Sequence, residues 1–342
     1  MAADGARIAF FGSTSLLARE IRSTLERRGF HAADVRLYDH DGEGTLSEYE
    51  GEVLLVTRPD PDAIPDLDIA FMCGTPAETE PYLDWPASRG YVAIDMSGAS
   101  MGRPGVPLVH TEINPGAIMG AGGATARAPI IGAPHPIPHN LASVVAAARR
   151  EGPIHSVEAF ALRPASELGN AGIDELYQQT VSLLNLSSVP QEVFGRQVAF
   201  NVVPSAAMAA NEQAGLDSRA EVEAISLLAM EPGRISITSA LATLFHGHAL
   251  AVTLSFERPP DLASLRERLG SARGLRQVEE LSSFSPVDLA GEEDVAFIGP
   301  TQDRRRPGKV GLWLFCDNLK GGAALNAVKI AERVADRRGG EA

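Results

Sequence analysis

The chain has 342 residues, of which 44% are hydrophobic and 22% are charged, and its formal net charge is −14. The length predicts two domains rather than one core, and the acidic balance argues against nucleic-acid or anionic-membrane partners, which bind clustered Lys and Arg. The N-terminus does not resemble a signal peptide, and no window approaches the ~20 apolar residues of a membrane span. Cys73 and Cys316 lie in apolar runs and predict buried, reduced thiols. We therefore expect a cytoplasmic protein.

The first third of the chain alternates apolar runs with helix-like segments. Residues 7–13 form an apolar run that ends in glycine, and Leu17, Ile21 and Leu25 follow at helical spacing. Further apolar runs cover residues 35–39, 52–57, 68–74 and 91–97. Their continuous hydrophobicity predicts a parallel sheet covered on both faces, in a doubly wound nucleotide-binding-type domain that reaches about residue 134.

The middle of the chain carries longer segments with partial period-2 alternation. They cover residues 156–166, 198–204, 233–257 and 310–318. This pattern predicts a mixed, largely antiparallel sheet with one exposed face, and helices at 139–150 and 216–230 to cover the other face. The tail, 321–338, predicts an amphipathic helix. The fold class is therefore α/β, with a Rossmann-like doubly wound domain and an α+β domain.

The turn after the first strand, "GSTSLLA" at 12–18, resembles a dinucleotide loop that keeps one glycine. Gly12 suits the tight turn, whereas Ser15 and Ala18 stand where later glycines allow a pyrophosphate to approach. Taken alone, the motif fits a generic strand–helix turn better than a cofactor loop.

Several longer motifs resemble the aspartate-semialdehyde dehydrogenase family, in the right order and over essentially the whole chain. They are "IDMSGASMGRPGVPLVHTEINP" (94–115), "FGRQVAFNVVPS" (194–205), "GHALAVTLSFE" (247–257) and "DNLKGGAALNAVKIAE" (317–332). The resemblance implies an NAD(P)-binding Rossmann-like domain at 1–134, completed by the C-terminal helix at 319–342. It also implies a substrate and dimerisation domain at 135–318, through which family members pair their sheets back to back.

The family reduces aspartyl phosphate to aspartate semialdehyde with NADPH, through a cysteine thioester and a histidine acid/base. The resemblance places Pro136 at the position of this cysteine, and neither His135 nor Ile137 supplies a thiol. Ser143 lies two turns into the following helix, where we expect its hydroxyl to bond to the backbone. Pro136 and Pro138 predict that "HPIPH" is not helical.

The substrate anchors implied by the resemblance are also replaced. Met101 and Leu241 stand at two arginine positions, although Arg103 lies two residues beyond Met101, and Ser226 stands at the lysine position. Arg163 replaces a glutamine, and the Ser-Gly-Ala-Gly turn next to it reads "SELG" (166–169). The family residues that persist are Glu112, Asn114, Glu223, Gly247 and His248.

The roles of the persisting residues stay open. His248 is the acid/base by position or a polar residue at a strand end, while Glu112 and Asn114 read better as turn residues. Arg163, Glu223 and Asn114 form the implied substrate pocket. His135, His139, His246 and His248 do not have diagnostic metal-ligand spacing, so we expect no metal site.

The cofactor residues implied by the resemblance are Gly12, Thr14, Ser15, Leu16, Asp39 and Asn318. In the family, a Ser-x-Arg-Ser stretch binds the 2′-phosphate of NADP. The corresponding stretch here is "YDHDGEG" (38–44), in which acidic residues stand in place of the arginine. Asp39 either accepts hydrogen bonds from an adenosine ribose, which favours NAD over NADP, or belongs to an acidic surface loop. Either nicotinamide cofactor is possible and neither is certain.

The sequence thus favours a homodimeric pseudoenzyme that has the reductase fold but not its reaction, and that binds an unknown small molecule. The alternative is an NAD(P)-dependent oxidoreductase on a different, non-phosphorylated aldehyde or keto substrate, using His248 without a covalent step. A third reading is a scaffold partner for a genuine dehydrogenase through a shared dimer surface.

Overall fold

The computed structural model describes residues 5–119, 128–208, 215–282 and 284–336. Within these ranges the chain forms two compact units, Met1–His135 with Ala323–Ala342, and Pro136–Gly322. The end of the predicted tail helix, from residue 337 onward, lies outside the described residues. No helix in the described ranges is long and apolar enough to cross a membrane.

Each unit is built on one seven-stranded sheet. The strands are β1 Ala6–Phe11, β2 Ala32–Tyr38, β3 Leu46–Tyr49, β4 Glu52–Thr57, β5 Ile69–Met72, β6 Val92–Asp95, β7 Ile130–Gly132, β8 Ile154–Arg163, β9 Val202–Pro204, β10 Ile235–Ala242, β11 His248–Phe256, β12 Leu275–Gln277, β13 Val295–Gln302 and β14 Lys309–Cys316. The helices are α1 Leu16–Arg27, α2 Pro76–Thr79, α3 Trp85–Arg89, α4 Pro136–Ala148, α5 Gly169–Leu184, α6 Leu216–Leu228, α7 Leu262–Gly270 and α8 Asn326–Asp336.

The sheet of the first unit has the strand order β3-β4-β2-β1-β5-β6-β7. All neighbouring strands are parallel except β3 and β4, which pair antiparallel. The expectation of a purely parallel sheet is therefore wrong at this edge. The reason is a two-residue turn at Glu50 and Gly51, with φ of 48° and 80°, because consecutive left-handed residues close a hairpin.

Helices cover both faces of this sheet, as the continuous apolar strands predict. Ile21 of α1 and Val328 of α8 share a core with Ile8 on one face. On the opposite face Trp85 of α3 packs against a second core that contains Ala9. The apolar stripe of the tail sequence thus becomes α8, inside the core of the first unit.

The sheet of the second unit has the order β12-β13-β14-β11-β8-β10-β9 and is mixed. β11 pairs antiparallel with both β8 and β14, whereas β10 runs parallel to β8. Along β11, buried residues alternate with half-buried ones, so that one face of the sheet is buried. The predicted mixed, largely antiparallel sheet is confirmed. It places the C-terminal end of β8 beside the N-terminal end of β11.

Candidate functional site

The turn between β1 and α1 is tight, and Gly12 is the one glycine of the stretch 12–18. Gly12 has a φ of 73°, and a Cβ atom there would lie 2.4 Å from the backbone nitrogen of Gly74. Ser15 caps α1 by accepting a hydrogen bond from the backbone nitrogen of Ala18 at 3.1 Å. Leu16 then begins the helix, so the backbone amides of the first turn lie at a helix N-terminus, which favours anions.

Asp39, directly after β2, turns back onto this loop. Its Oδ2 accepts from the backbone nitrogen of Thr14 at 3.0 Å and from the Thr14 hydroxyl at 2.7 Å. Burial raises the pKa of Asp39, but the hydrogen bonds from Thr14, Gly42 and Asp41 outweigh it and hold the pKa below its ordinary value. A carboxylate charge is therefore fixed beside the loop.

The other residues of the first unit that the sequence singled out make local contacts. Met101 is exposed, and the guanidinium of Arg103 pairs with Glu80 and Asp84. Glu112 pairs with Lys329 at 2.8 Å. The side chain of Asn114 closes a turn: its Oδ1 accepts from the backbone nitrogen of His110 and its Nδ2 donates to the carbonyl of Leu108, both at 2.8 Å.

The start of α4, where the resemblance places the missing nucleophile, is helical from Pro136 onward. The expectation that the prolines make this stretch non-helical is wrong. Prolines are tolerated in the first helical turn because its N–H groups have no intrahelical acceptor. Ser143 donates its hydroxyl to the carbonyl of His139 at 3.1 Å, as the sequence predicts.

The end of β8, the turn that follows it and the start of β11 hold a buried group of three ionisable side chains, which we call the Arg163–Glu167–His248 cluster. The Nε and Nη2 atoms of Arg163 both lie 2.6 Å from Oε2 of Glu167. The other oxygen, Oε1, lies 2.6 Å from Nε2 of His248. All three side chains are almost fully buried, so one carboxylate receives both a guanidinium and an imidazole away from water.

A chain of hydroxyl groups extends this cluster to α6. Nη1 of Arg163 donates to the hydroxyl of Ser205 at 3.0 Å, and Ser205 lies 2.7 Å from the hydroxyl of Ser239. Ser239 in turn donates its hydroxyl to Asp217. This chain holds the guanidinium of Arg163 from the side opposite Glu167.

The remaining predicted pocket residues of the second unit lie as follows. Glu223 is buried and accepts from Nε of Arg219 at 2.7 Å. Leu241 is part of an apolar core, and Ser226 is exposed. Oδ1 of Asn318 accepts from the backbone nitrogen of Gly247 at 2.9 Å, and so fixes the turn that precedes His248.

Both thiols of the chain are buried. Cys73 follows β5 in the first unit, and Cys316 ends β14, opposite His248 in the sheet register. Burial raises the pKa of Cys316 to about 12, and burial also raises the pKa of Cys73. In the described residues, His, Cys, Asp and Glu side chains form no group of three that could hold a metal ion.

The sequence did not single out Glu167, Ser205, Ser239 or Asp217. One signal was present for Glu167: an arginine at the end of an apolar strand needs a carboxylate partner when it is buried, and a glutamate follows Arg163 four residues later.

The two units thus define a class: a doubly wound nucleotide-binding domain joined to a domain with a mixed sheet. Comparison with known families makes this specific. Residues 7–121 match the model "Semialdehyde dehydrogenase, NAD binding domain" and residues 145–320 match "Semialdehyde dehydrogenase, dimerisation domain". The chain belongs to the semialdehyde dehydrogenase family.

Individual relatives align over nearly the full chain. The aspartate-semialdehyde dehydrogenase of Prochlorococcus marinus is 27% identical, with 96% of both chains covered. A USG-1 protein homolog of Pseudomonas aeruginosa is also 27% identical, covering 95% of this chain and 96% of its own. The structure of a probable aspartate-semialdehyde dehydrogenase from Pseudomonas aeruginosa matches with a TM-score of 0.87 and 26% identity, covering 96% of this chain and 98% of that chain.

Proposed function

We propose that this protein is a homodimeric binding protein of the family that does not catalyse the reductive dephosphorylation of aspartyl phosphate. The observation that carries the proposal is the burial of both thiols, since Cys73 is 6% and Cys316 is 4% exposed. A thioester mechanism needs an accessible thiolate, and a buried thiol with a raised pKa supplies none.

The residues of the second unit at the substrate positions implied by the resemblance support the same conclusion. Leu241 is buried in an apolar core, at a position where the resemblance implies an arginine anchor. Arg163 points its guanidinium at Glu167. A substrate carboxylate or phosphate would have to compete with the carboxylate of Glu167 for the guanidinium of Arg163. Binding would then leave the Glu167 carboxylate buried without this cation, which costs free energy.

An assay tests this proposal directly. The purified protein is supplied with aspartate semialdehyde, phosphate and NADP, and NADPH formation is followed beside an active family member. We expect no formation above the enzyme-free background. Turnover similar to that of the active relative would refute the proposal, and loss of that turnover in Cys316→Ser would then identify the nucleophile.

The matched NAD-binding domain model supports binding of a nicotinamide dinucleotide in the first unit. We propose that NAD binds more tightly than NADP, because the carboxylate of Asp39 stands beside the phosphate loop. One like charge near a 2′-phosphate costs about 1 kcal/mol in a water-like dielectric, or about five-fold in Kd.

Calorimetric titration with NAD and NADP checks this preference. Asp39→Asn keeps an acceptor for Thr14 and removes the charge, so it should narrow the difference between the two cofactors. Tighter binding of NADP than of NAD by the unmodified protein would contradict the assignment.

One observation favours a second candidate function, an NAD-dependent oxidoreductase on a non-phosphorylated aldehyde or keto substrate. The imidazole of His248 is held by Glu167 at 2.6 Å, an arrangement that fixes a histidine for proton transfer. Turnover of such a substrate with NADH, abolished by His248→Asn, would support this candidate over the binding protein.

A further inference from the structure

Glu167 lies in a different kind of structural element from the two residues that bind its carboxylate. Arg163 and His248 belong to β8 and β11, adjacent strands in the middle of the sheet. Glu167 belongs to the short 3-10 turn Ala165–Leu168, which connects β8 to α5. The two donors are therefore fixed by the sheet, while the carboxylate enters from a connecting turn.

Contacts other than Glu167 hold the guanidinium of Arg163 and the backbone of His248. The hydroxyl of Ser205 accepts from Nη1 of Arg163 at 3.0 Å, on the far side of the guanidinium. His248 is held through its backbone by the pairing with Cys316 and by the turn at Gly247, whose N–H donates to Asn318. A buried guanidinium and a buried imidazole, carried by adjacent strands and converging on one carboxylate, have the chemistry of a carboxylate-binding site.

We propose that the side chain of Glu167 is a tethered ligand, and that Arg163 and His248 form a site for a small monocarboxylate that Glu167 occupies from within the chain. This inference deepens the proposed function, because it names the side chain that occupies the substrate position implied by the resemblance. It rests on the proposed function only because both concern this same position. When the side chain of Glu167 is truncated by substitution, the site binds a free carboxylate of the same size as the atoms that were removed.

The size of the free ligand follows from the atoms deleted. Glu167→Ala removes Cγ, Cδ and both oxygens, which together have the shape of acetate. Glu167→Gly removes Cβ as well, which leaves the shape of propionate. In each case the hole is lined by the same guanidinium and imidazole, and an unpaired guanidinium buried at this depth is strongly destabilising.

Thermal unfolding of the two variants gives the test, in sodium acetate, propionate and chloride at equal ionic strength. We expect acetate to raise the Tm of Glu167→Ala by about 2–4 °C more than chloride does, because a ligand that binds only the folded state stabilises it. Propionate should have the larger effect on Glu167→Gly. The unmodified protein should respond equally to all three salts.

Matched variants make the result specific. Adding Arg163→Met to Glu167→Ala should abolish the difference between acetate and chloride, because the guanidinium is the main anion donor. The single substitution Leu46→Ala, at an exposed strand position of the other unit, should give no difference in Tm between acetate and chloride. Equal Tm values for Glu167→Ala in acetate and chloride would overturn the proposal.

If Glu167→Ala does not fold in chloride, the refolding yield becomes the readout. A yield that rises with acetate but not with chloride supports the tethered-ligand model, and equal yields contradict it. These outcomes are separable from the proposed function. Dehydrogenase turnover in the unmodified protein would refute the pseudoenzyme without affecting rescue by acetate, and failed rescue would leave the argument from the buried thiols in place.

Discussion

Cys316 is a buried thiol that lies next to His248, the acid/base candidate. It is the direct cross-strand partner of His248, so both side chains lie on the same buried face. Burial raises its pKa to about 12, although the side chain of Asn140 donates a hydrogen bond to its sulfur at 2.9 Å. At pH 8 a thiol with this pKa is ionised in about one molecule in ten thousand, which is too little for efficient nucleophilic attack.

We therefore predict that neither native thiol reacts readily with a disulfide reagent such as dithionitrobenzoate at pH 8. The rate should be at least about 100-fold below that of the urea-unfolded chain, because both burial and the raised pKa suppress the thiolate. Ser226→Cys, which places a thiol on an exposed position of α6, should add one fast equivalent. A native thiol that reacts as fast as the introduced one would contradict this prediction.

At the same scale, only part of the site can be predicted from the amino-acid sequence. The expectations that Pro136 stands at the family's nucleophile position and that His248 stands at its acid/base position follow from motifs, because each residue lies in a stretch with a characteristic pattern. The role of Glu167 cannot be read in this way, because it depends on β11 lying beside β8. Sequence spacing relates Glu167 to Arg163, whereas only the sheet relates it to His248.

At the scale of secondary structure, α6 protects an open edge of the second sheet. β9 pairs with β10 only over residues 240–242, which leaves the earlier part of that edge uncovered. Two carboxylates one helical turn apart accept from this edge: Glu221 from the backbone nitrogen of Ile237 at 2.8 Å, and Asp217 from that of Ser239 at 3.1 Å. Covering an edge in this way satisfies its N–H groups and prevents pairing with another chain.

We predict that Asp217→Ala destabilises the protein more than Glu221→Ala does. Asp217 accepts from both the backbone and the hydroxyl of Ser239, whereas Glu221 accepts one backbone bond at this edge. Each charge-assisted bond contributes about 1.5–3 kcal/mol, so the midpoint of urea unfolding should fall further for Asp217→Ala. Ser226→Ala, an exposed position on the same helix, should leave the midpoint unchanged. Equal midpoints for Asp217→Ala and Ser226→Ala would show that the edge does not need this cover.

Several of the elements can be predicted from the sequence, and two of the exceptions have physical causes. β4 coincides with its apolar run, whereas β13 was missed because Gly299 and Pro300 interrupt its pattern. The structure accommodates them as a break in the register with β14 between Ile298 and Thr301. The start of α4 was misjudged because a proline counts against a helix in its interior but not in its first turn.

At the scale of the whole molecule, the second sheet presents an apolar row on its exposed face. Phe160 of β8, Ala251 of β11 and Trp313 of β14 lie opposite one another in register, and Ile298 of β13 continues the row. Phe160 is 42% and Trp313 is 45% exposed in the single chain. Large aromatic groups in contiguous exposed positions mark interaction surfaces, and the matched family model describes this domain as a dimerisation domain.

We predict that two copies of the chain pair through this row, burying more than the standard ~1,600 Å² of total interface. Because a two-fold interface uses each residue twice, Trp313→Glu places two charges in the apolar contact and should convert the dimer to a monomer. Light scattering at micromolar concentration measures the change, and Leu46→Glu, a more exposed apolar position outside this sheet, should stay dimeric. The exposed apolar side of α5 offers a rival surface, tested by Leu184→Glu. If Leu184→Glu gives the monomer and Trp313→Glu remains a dimer, the copies pair through α5 and the sheet face is not the interface.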